Sequence, residues 1–160
     1  MNRKYTEMLD DTERELKEIR KWINKDRNKF DSKTRYLISY SVIKASGTIE
    51  VVFKHLIFDY LVVGAKEETK TYLENMIVES SCNPNAGNMS NMLQSISAER
   101  RKEFDDQVKE SGYKDKINSL IQLRNDFAHG DSINVSIDTV ITYFKSAIEV
   151  LKILDLVVNK

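Results

Sequence analysis

One proline and five glycines in 160 residues leave the chain without the turn formers that an all-β sandwich or barrel needs at its reversals. A β-rich fold is thereby nearly excluded, and long helices are favoured. A single cysteine, Cys82, rules out an internal disulfide and a multi-cysteine zinc site, and it fits a reducing compartment. The two histidines, His55 and His129, are far apart in sequence, so no metal site is expected. The five glycines are isolated, and no glycine-rich phosphate loop can be drawn. Neither sign of charge is in excess: 25 Lys and Arg stand against 25 Asp and Glu. Bulk charge therefore does not announce a nucleic-acid binder, although it leaves room for a local basic patch. Long hydrophobic runs are missing too. The longest apolar stretches, such as residues 49–63, are interrupted, here by Glu50, Lys54, His55 and Asp59. That falls short of the roughly 18 apolar residues of a membrane span. The first 21 residues lack the apolar centre of a signal peptide. The expectation is a cytoplasmic protein with no membrane partner.

What the chain does have is helical patterning. At 41% hydrophobic and 31% charged it is apolar enough for a real core, and its length suits a single domain, residues 1–160. The fold class read from this is all-α. Tyr5, Met8, Leu9, Thr12, Leu16, Ile19 and Ile23 recur at spacings of three and four, which predicts a helix over residues 5–23. A basic connector follows. Arg20, Lys21, Lys25, Arg27, Lys29, Lys33 and Arg35 are opposed only by Asp26 and Asp31, seven cations against two anions and so a local charge of +5. It is either a solvated helix end or a phosphate-contacting strip, with Lys25, Arg27 and Lys29 as the RNA-binding candidates. Residues 1–33 thus read as a helix and connector, and residues 34–160 as the bundle core.

Within that core a long helix is predicted over residues 34–63, with Gly64 at its C-terminal turn. Ala45, Ser46 and Gly47 put small residues at its middle, where a second helix can approach or the axis can kink. A helix over 67–79 precedes a loop at 80–90, and Ser90 is read as the cap of a short helix beginning near Asn91. Further helices are expected over 99–110, 113–129 and 136–158. In the last of these, Val140, Phe144, Ala147, Leu151, Leu154 and Val158 form a heptad seam, and Tyr143, Val150, Ile153 and Val157 widen it. A face this wide suggests packing on its own bundle and on a second subunit.

The sharpest chemical signal is the run from Arg124 to Gly130. Turning about 100° per residue from Leu120 at zero puts Arg124 at about 40°, inside the apolar stripe with Ile117, Ile121 and Ala128. A guanidinium keeps its charge, so Arg124 must be paired, reach out to water, or line a cavity. Asn125 falls at about 140° and His129 at about 180°, neighbours one turn apart. A permanent cation, an amide and a titratable imidazole are the parts needed to cleave RNA without a metal. The imidazole transfers protons, and the guanidinium steadies the charge that builds on the phosphorane oxygens. The plainer alternative is a buried Arg124 paired with Glu50 or an aspartate, beside a histidine that merely ends a helix.

This Arg-Asn-x-x-x-His pattern followed by glycine resembles the signature of HEPN domains. Residues 39–61, the Asn83-Pro84-Asn85 loop leading to Met92 and Leu93, and residues 135–156 are similar to the RiboL-PSP-like branch. The resemblance covers roughly residues 30–158. It implies an up-and-down four-helix core with extra short helices, a homodimer, and a metal-independent endoribonuclease built across the dimer interface, with no cofactor. Arg124 and His129 carry over as catalytic residues and Asn125 as the polar neighbour. The settings implied are toxin–antitoxin systems and antiviral defence, with RNA as substrate and an antitoxin or defence protein as partner. Some relatives only bind RNA or nucleotides, so a non-catalytic binding module is the alternative. Two carboxylates stay open: Glu50 either orients Arg124 or His129, or pairs with Lys54 one turn on. Asp126 either faces solvent or joins the site beside Asn125. His55 and Asp59 read as an exposed helical pair. No nucleophilic role can be built for Cys82.

Overall fold

The computed structural model describes residues 1–25, 28 and 31–160. Among these residues the chain forms α1 (Arg3–Ile23), α2 (Ser32–Leu61), α3 (Glu67–Leu73), α4 (Ala86–Ile96), α5 (Ala98–Ser111), α6 (Lys114–Ala128) and α7 (Ile137–Val158). A π turn, Glu74–Val78, continues α3, and no strand occurs among the described residues.

Side-chain links give the helix directions. The Tyr5 hydroxyl donates to Asp59, the Thr12 and Thr48 hydroxyls meet at 2.9 Å, and the Tyr40 hydroxyl donates to Glu15. Helix α1 is therefore antiparallel to α2. Arg20 reaches Asp138 at 3.4 Å and Lys145 reaches Glu13 at 3.5 Å, which makes α1 antiparallel to α7 as well. The short 129–136 link folds α7 back along α6. Thus α1, α2, α6 and α7 make an up-and-down four-helix core, and α3, the π turn, α4 and α5 are inserted between α2 and α6.

The predicted seam of α7 is the centre of this core. Val140, Phe144, Ala147, Leu151, Leu154 and Val158 are all buried, and so are Val150 and Val157 from the second row. Helix α5 closes over the far end, where the Arg100 guanidinium lies 4.8 Å over the Tyr60 ring and donates to the Val157 carbonyl. The protomer itself covers most of the face expected to serve a second subunit. Among the large apolar side chains of α7 only Leu156 is exposed. The spare apolar surface lies on α2, the long second helix. Tyr36, Tyr40, Ile43 and Val51 are exposed and lie on one line with Gly47, at spacings of three and four. A Cβ added at Gly47 would meet open space.

Three local expectations are corrected. Helix α4 starts at Ala86, not Asn91, and Asn85 caps it by accepting the Asn88 N–H at 2.8 Å. An asparagine caps as well as a serine, and the earlier start buries Ala86 and Met89. Ser90 is buried within the helix and donates to Asp105 at 3.0 Å. The helix expected over 67–79 widens into the π turn, closed by the Glu79 N–H on the Glu74 carbonyl at 3.0 Å. The extra residue lays Ile77 against the core. Helix α2 ends at Leu61, so the left-handed Gly64 (φ 72°) comes one residue later in the terminating turn than expected.

The two leucines on α7 should separate sharply. Leu151→Ala should lower the unfolding free energy by about 2–5 kcal/mol in urea titrations. Leu156→Ala should change it by less than about 0.5 kcal/mol at the same protein concentration.

Candidate functional site

On α6 the buried positions are Ile117, Leu120 and Ile121, and the helix leaves the core at its last turn. Arg124 sits at that margin and is half-buried, whereas Phe127, Ala128 and His129 are exposed. The guanidinium has no carboxylate within ion-pair distance among the described residues. Its Nη1 donates to the Asn83 Oδ1 at 3.0 Å and to the Asn125 Oδ1 at 3.2 Å. Of the five N–H donors of an arginine, two are thus occupied by neutral amides, and Nε and Nη2 keep the rest.

Asn83 was not foreseen, and it belongs to the loop between the π turn and α4. Its own carbonyl accepts the Asn85 N–H at 2.9 Å and the Asn88 side-chain amide at 2.8 Å. Asn118 of α6 accepts the Ala86 N–H at 3.1 Å, so α6 grips the loop at a second point. The other end is held by Lys54. Its side chain is buried on α2, pairs with Glu50 at 2.6 Å, and donates to the Val78 carbonyl at 3.3 Å and to the Ser80 carbonyl. The sequence held a signal for each: an Asn-Pro-Asn turn in a turn-poor chain, and a lysine four residues after a glutamate within an apolar stretch.

Between this loop and α4 lies an open cleft of about 610 Å3, lined by Arg124, three asparagines (Asn83, Asn88, Asn91), Ser81, Ser95, Cys82 and Met92. No carboxylate lines it. A second cleft of about 580 Å3 separates α1 from α7, and its wall mixes Asp10, Glu13 and Glu149 with Lys145 and Lys152. That groove compensates its own charge and holds none of the candidate residues.

The remaining candidates are distributed as follows. Asn125 turns its amide oxygen to Arg124. His129 caps α6, its N–H on the Asn125 and Asp126 carbonyls at 3.0 and 3.2 Å, before the left-handed Gly130 (φ 92°). Its imidazole does not line the Arg124 cleft. Asp126 is half-buried and accepts the Gln122 side-chain amide at 2.6 Å. The Glu50 carboxylate goes to Lys54, in a pair more enclosed than an exposed helical pair would be. Lys25 is exposed beyond the end of α1; Arg27 and Lys29 lie outside the described residues. Asp59 accepts the Tyr5 hydroxyl, and the His55 Nδ1 faces the Val51 carbonyl at 2.8 Å. Burial, then Asp59, hold the Tyr5 phenol well above its usual range. Burial, with the Glu50 charge adding to it, pushes the Cys82 thiol up and away from thiolate chemistry. No cluster of three or more His, Cys, Asp or Glu side chains that could hold a metal ion occurs among the described residues. No helix there is long and apolar enough to cross a membrane.

A family model described as RiboL-PSP-HEPN matches residues 10–160. No curated protein and no solved structure matches the chain.

The two cations of the site should respond differently to loss of a partner. Arg124→Ala removes a half-buried group held by neutral amides and should destabilise the fold by only about 1 kcal/mol. Glu50→Ala strands the Lys54 ammonium and should cost about 3 kcal/mol, part of which returns when Lys54→Met is added. Urea unfolding of the three variants measures both.

Proposed function

The chain belongs to the RiboL-PSP-HEPN family, and on that footing we propose that it is a metal-independent endoribonuclease whose site of Arg124, Asn125 and His129 is completed across a homodimer. The observation that carries this reading is the state of Arg124. Its guanidinium borders an open cleft with no carboxylate, and neutral amides hold it in place. A structural arginine at a core margin would ordinarily have its charge compensated. Here the charge is oriented and left available for an anion.

In the proposed reaction the ribose 2′-oxygen bonds to phosphorus while the bond to the 5′-oxygen breaks. His129 is the proton-transfer residue in a step in which the 2′-hydroxyl gives up its proton and the leaving 5′-oxygen gains one. Arg124 steadies the charge on the non-bridging oxygens, and Asn125 holds the guanidinium. Five residues along a helix turn about 140° net, which matches the absence of His129 from the Arg124 cleft. Bringing both groups to one phosphodiester is the part assigned to a second copy. The surface offered for that copy is the exposed α2 line of Tyr36, Tyr40, Ile43 and Val51, with Gly47 allowing close approach of a helix. Lys25, Arg27 and Lys29 are assigned to RNA phosphates outside the cleft. The proposed setting is a cytoplasmic toxin or antiviral-defence effector, held in check by an antitoxin or a defence-system partner.

A second reading is a non-catalytic HEPN-like module that binds RNA, a nucleotide or a partner protein. The observation that favours it is that the Arg124 cleft is walled without His129.

Incubation of single-stranded RNA with the full chain in EDTA should give products ending in a 2′,3′-cyclic phosphate. DNA, which lacks the attacking hydroxyl, should stay intact. His129→Ala should reduce the rate by roughly 10² or more with an unchanged melting curve. Absence of cleavage by the wild type would leave the binding module as the reading.

Sedimentation at micromolar concentration should give a dimer, since an obligate interface buries on the order of 2,000 Å2 or more. Ile43→Glu should shift it to monomer and abolish cleavage. A monomeric wild type would remove the composite site.

A further inference from the structure

Both hydrogen bonds that hold Arg124 start from the same nitrogen. Nη1 carries two N–H groups, and it donates to the Asn83 Oδ1 at 3.0 Å and to the Asn125 Oδ1 at 3.2 Å. The two amides occupy Nη1 and touch neither of the other nitrogens. The Nε–H and the Nη2–H beside it run parallel along the edge of the planar guanidinium that excludes Nη1. That edge is a fork matching two oxygens of one phosphate, and nothing among the described residues accepts from it. The two asparagines are not equivalent holders. Asn125 is the next residue on α6, so its bond ties the guanidinium to its own helix. Asn83 arrives from 41 positions away, on the loop before α4. Its backbone carbonyl accepts the Asn85 N–H at 2.9 Å and the Asn88 side-chain amide at 2.8 Å, which fixes its own position. Asn83 thus ties Arg124 to the wall of the cleft that both residues line.

We propose that Asn83 is a positioning residue for RNA cleavage, which holds Arg124 by Nη1 so that its Nε–Nη2 edge grips both non-bridging oxygens of the scissile phosphate. The proposal rests on the ribonuclease reading for its substrate. Two properties of the side chain at 83 follow from this role. It must accept a hydrogen bond, because a guanidinium only donates. It must also be neutral, because a carboxylate there would hold the same nitrogen and cancel the charge the phosphate needs. Position 124 is equally restricted. A lysine would keep the charge as a point and lose the fork.

The test follows single-turnover cleavage of single-stranded RNA by the full chain in EDTA, with a melting curve for each variant. Asn83→Asp keeps the size and the acceptor but adds a charge. It should melt no lower than the wild type and yet cleave roughly 10-fold more slowly or worse. Asn91→Asp puts the same charge on the same wall without a bond to Arg124, and its effect should be clearly smaller. Asn83→Ala releases the fork and should lower kcat roughly 10- to 100-fold with little change in KM. Sulfur in place of either non-bridging oxygen should slow the wild type, and both penalties should shrink in Asn83→Ala. A rate for Asn83→Asp equal to that of the wild type, an equal effect of Asn91→Asp, or a penalty for one sulfur position only overturns the proposal. Nitrogen NMR of the Arg124 guanidinium reads the hold without any activity. Nη1 and Nη2 should give separate signals in the wild type and averaged ones in Asn83→Ala; averaged signals in the wild type overturn the positioning. Separate signals that Asn83→Ala averages, in a chain that leaves RNA uncut, would keep Asn83 as the holder of Arg124 and remove the ribonuclease. Cleavage that Asn83→Asp leaves unchanged would do the reverse.

Discussion

An ammonium group buried on a helix face needs a counter-charge and hydrogen-bond acceptors, and Lys54 draws them from two directions. Glu50 comes from the preceding turn of α2, and the Val78 and Ser80 carbonyls come from the chain leaving the π turn. That arrangement fixes where the chain lifts away from α2. Three residues beyond Ser80, Asn83 delivers its amide to Arg124, and Asn85 begins α4. Lys54 in α2, the loop and Arg124 in α6 are therefore linked through one short segment. Without the buried lysine, the loop would keep its α6 contacts and lose the anchor that sets its height.

The helices were legible because each one carries its burial in its own periodicity. The α1 stripe from Tyr5 to Ile23 and the α7 seam from Val140 to Val158 are buried much as their spacing dictates. Arg124 was expected inside the apolar stripe of α6 and stands half-buried at its margin. What the periodicity could not show was its partner. Asn83 lies 41 positions away on an irregular loop, and an arginine satisfied by an amide leaves no charge pattern in the sequence. Glu50 and Lys54 looked like an exposed pair because spacing reveals a shared face but not what covers it. The start of α4 was misplaced because Asn85 and Ser90 are equally good caps locally. The choice between them came from burying Ala86 and Met89. The wide face of α7 was read correctly as apolar, but sequence could not say that α2, α6, α1 and α5 would together take so much of it.

Holding a cation with neutral amides differs in kind from holding it with a carboxylate. A carboxylate orients a guanidinium and cancels its charge. An amide orients it through hydrogen bonds that the cation still assists, and leaves the charge in place. Arg124 therefore combines a fixed direction with a charge that no carboxylate among the described residues cancels. Asn125 faces back to its neighbour, and the helical turn sets the Arg124 and His129 positions about 140° apart around α6.

The π turn at Glu74–Val78 carries one more residue than an α-helical turn would use. Loss of a single residue there would restore regular α geometry and rotate everything downstream by about 100° until the next irregular link. The Val78 and Ser80 carbonyls would swing off Lys54, and the Asn83 turn would arrive out of phase with α6. Chain length in the π turn therefore acts as the setting of the cleft.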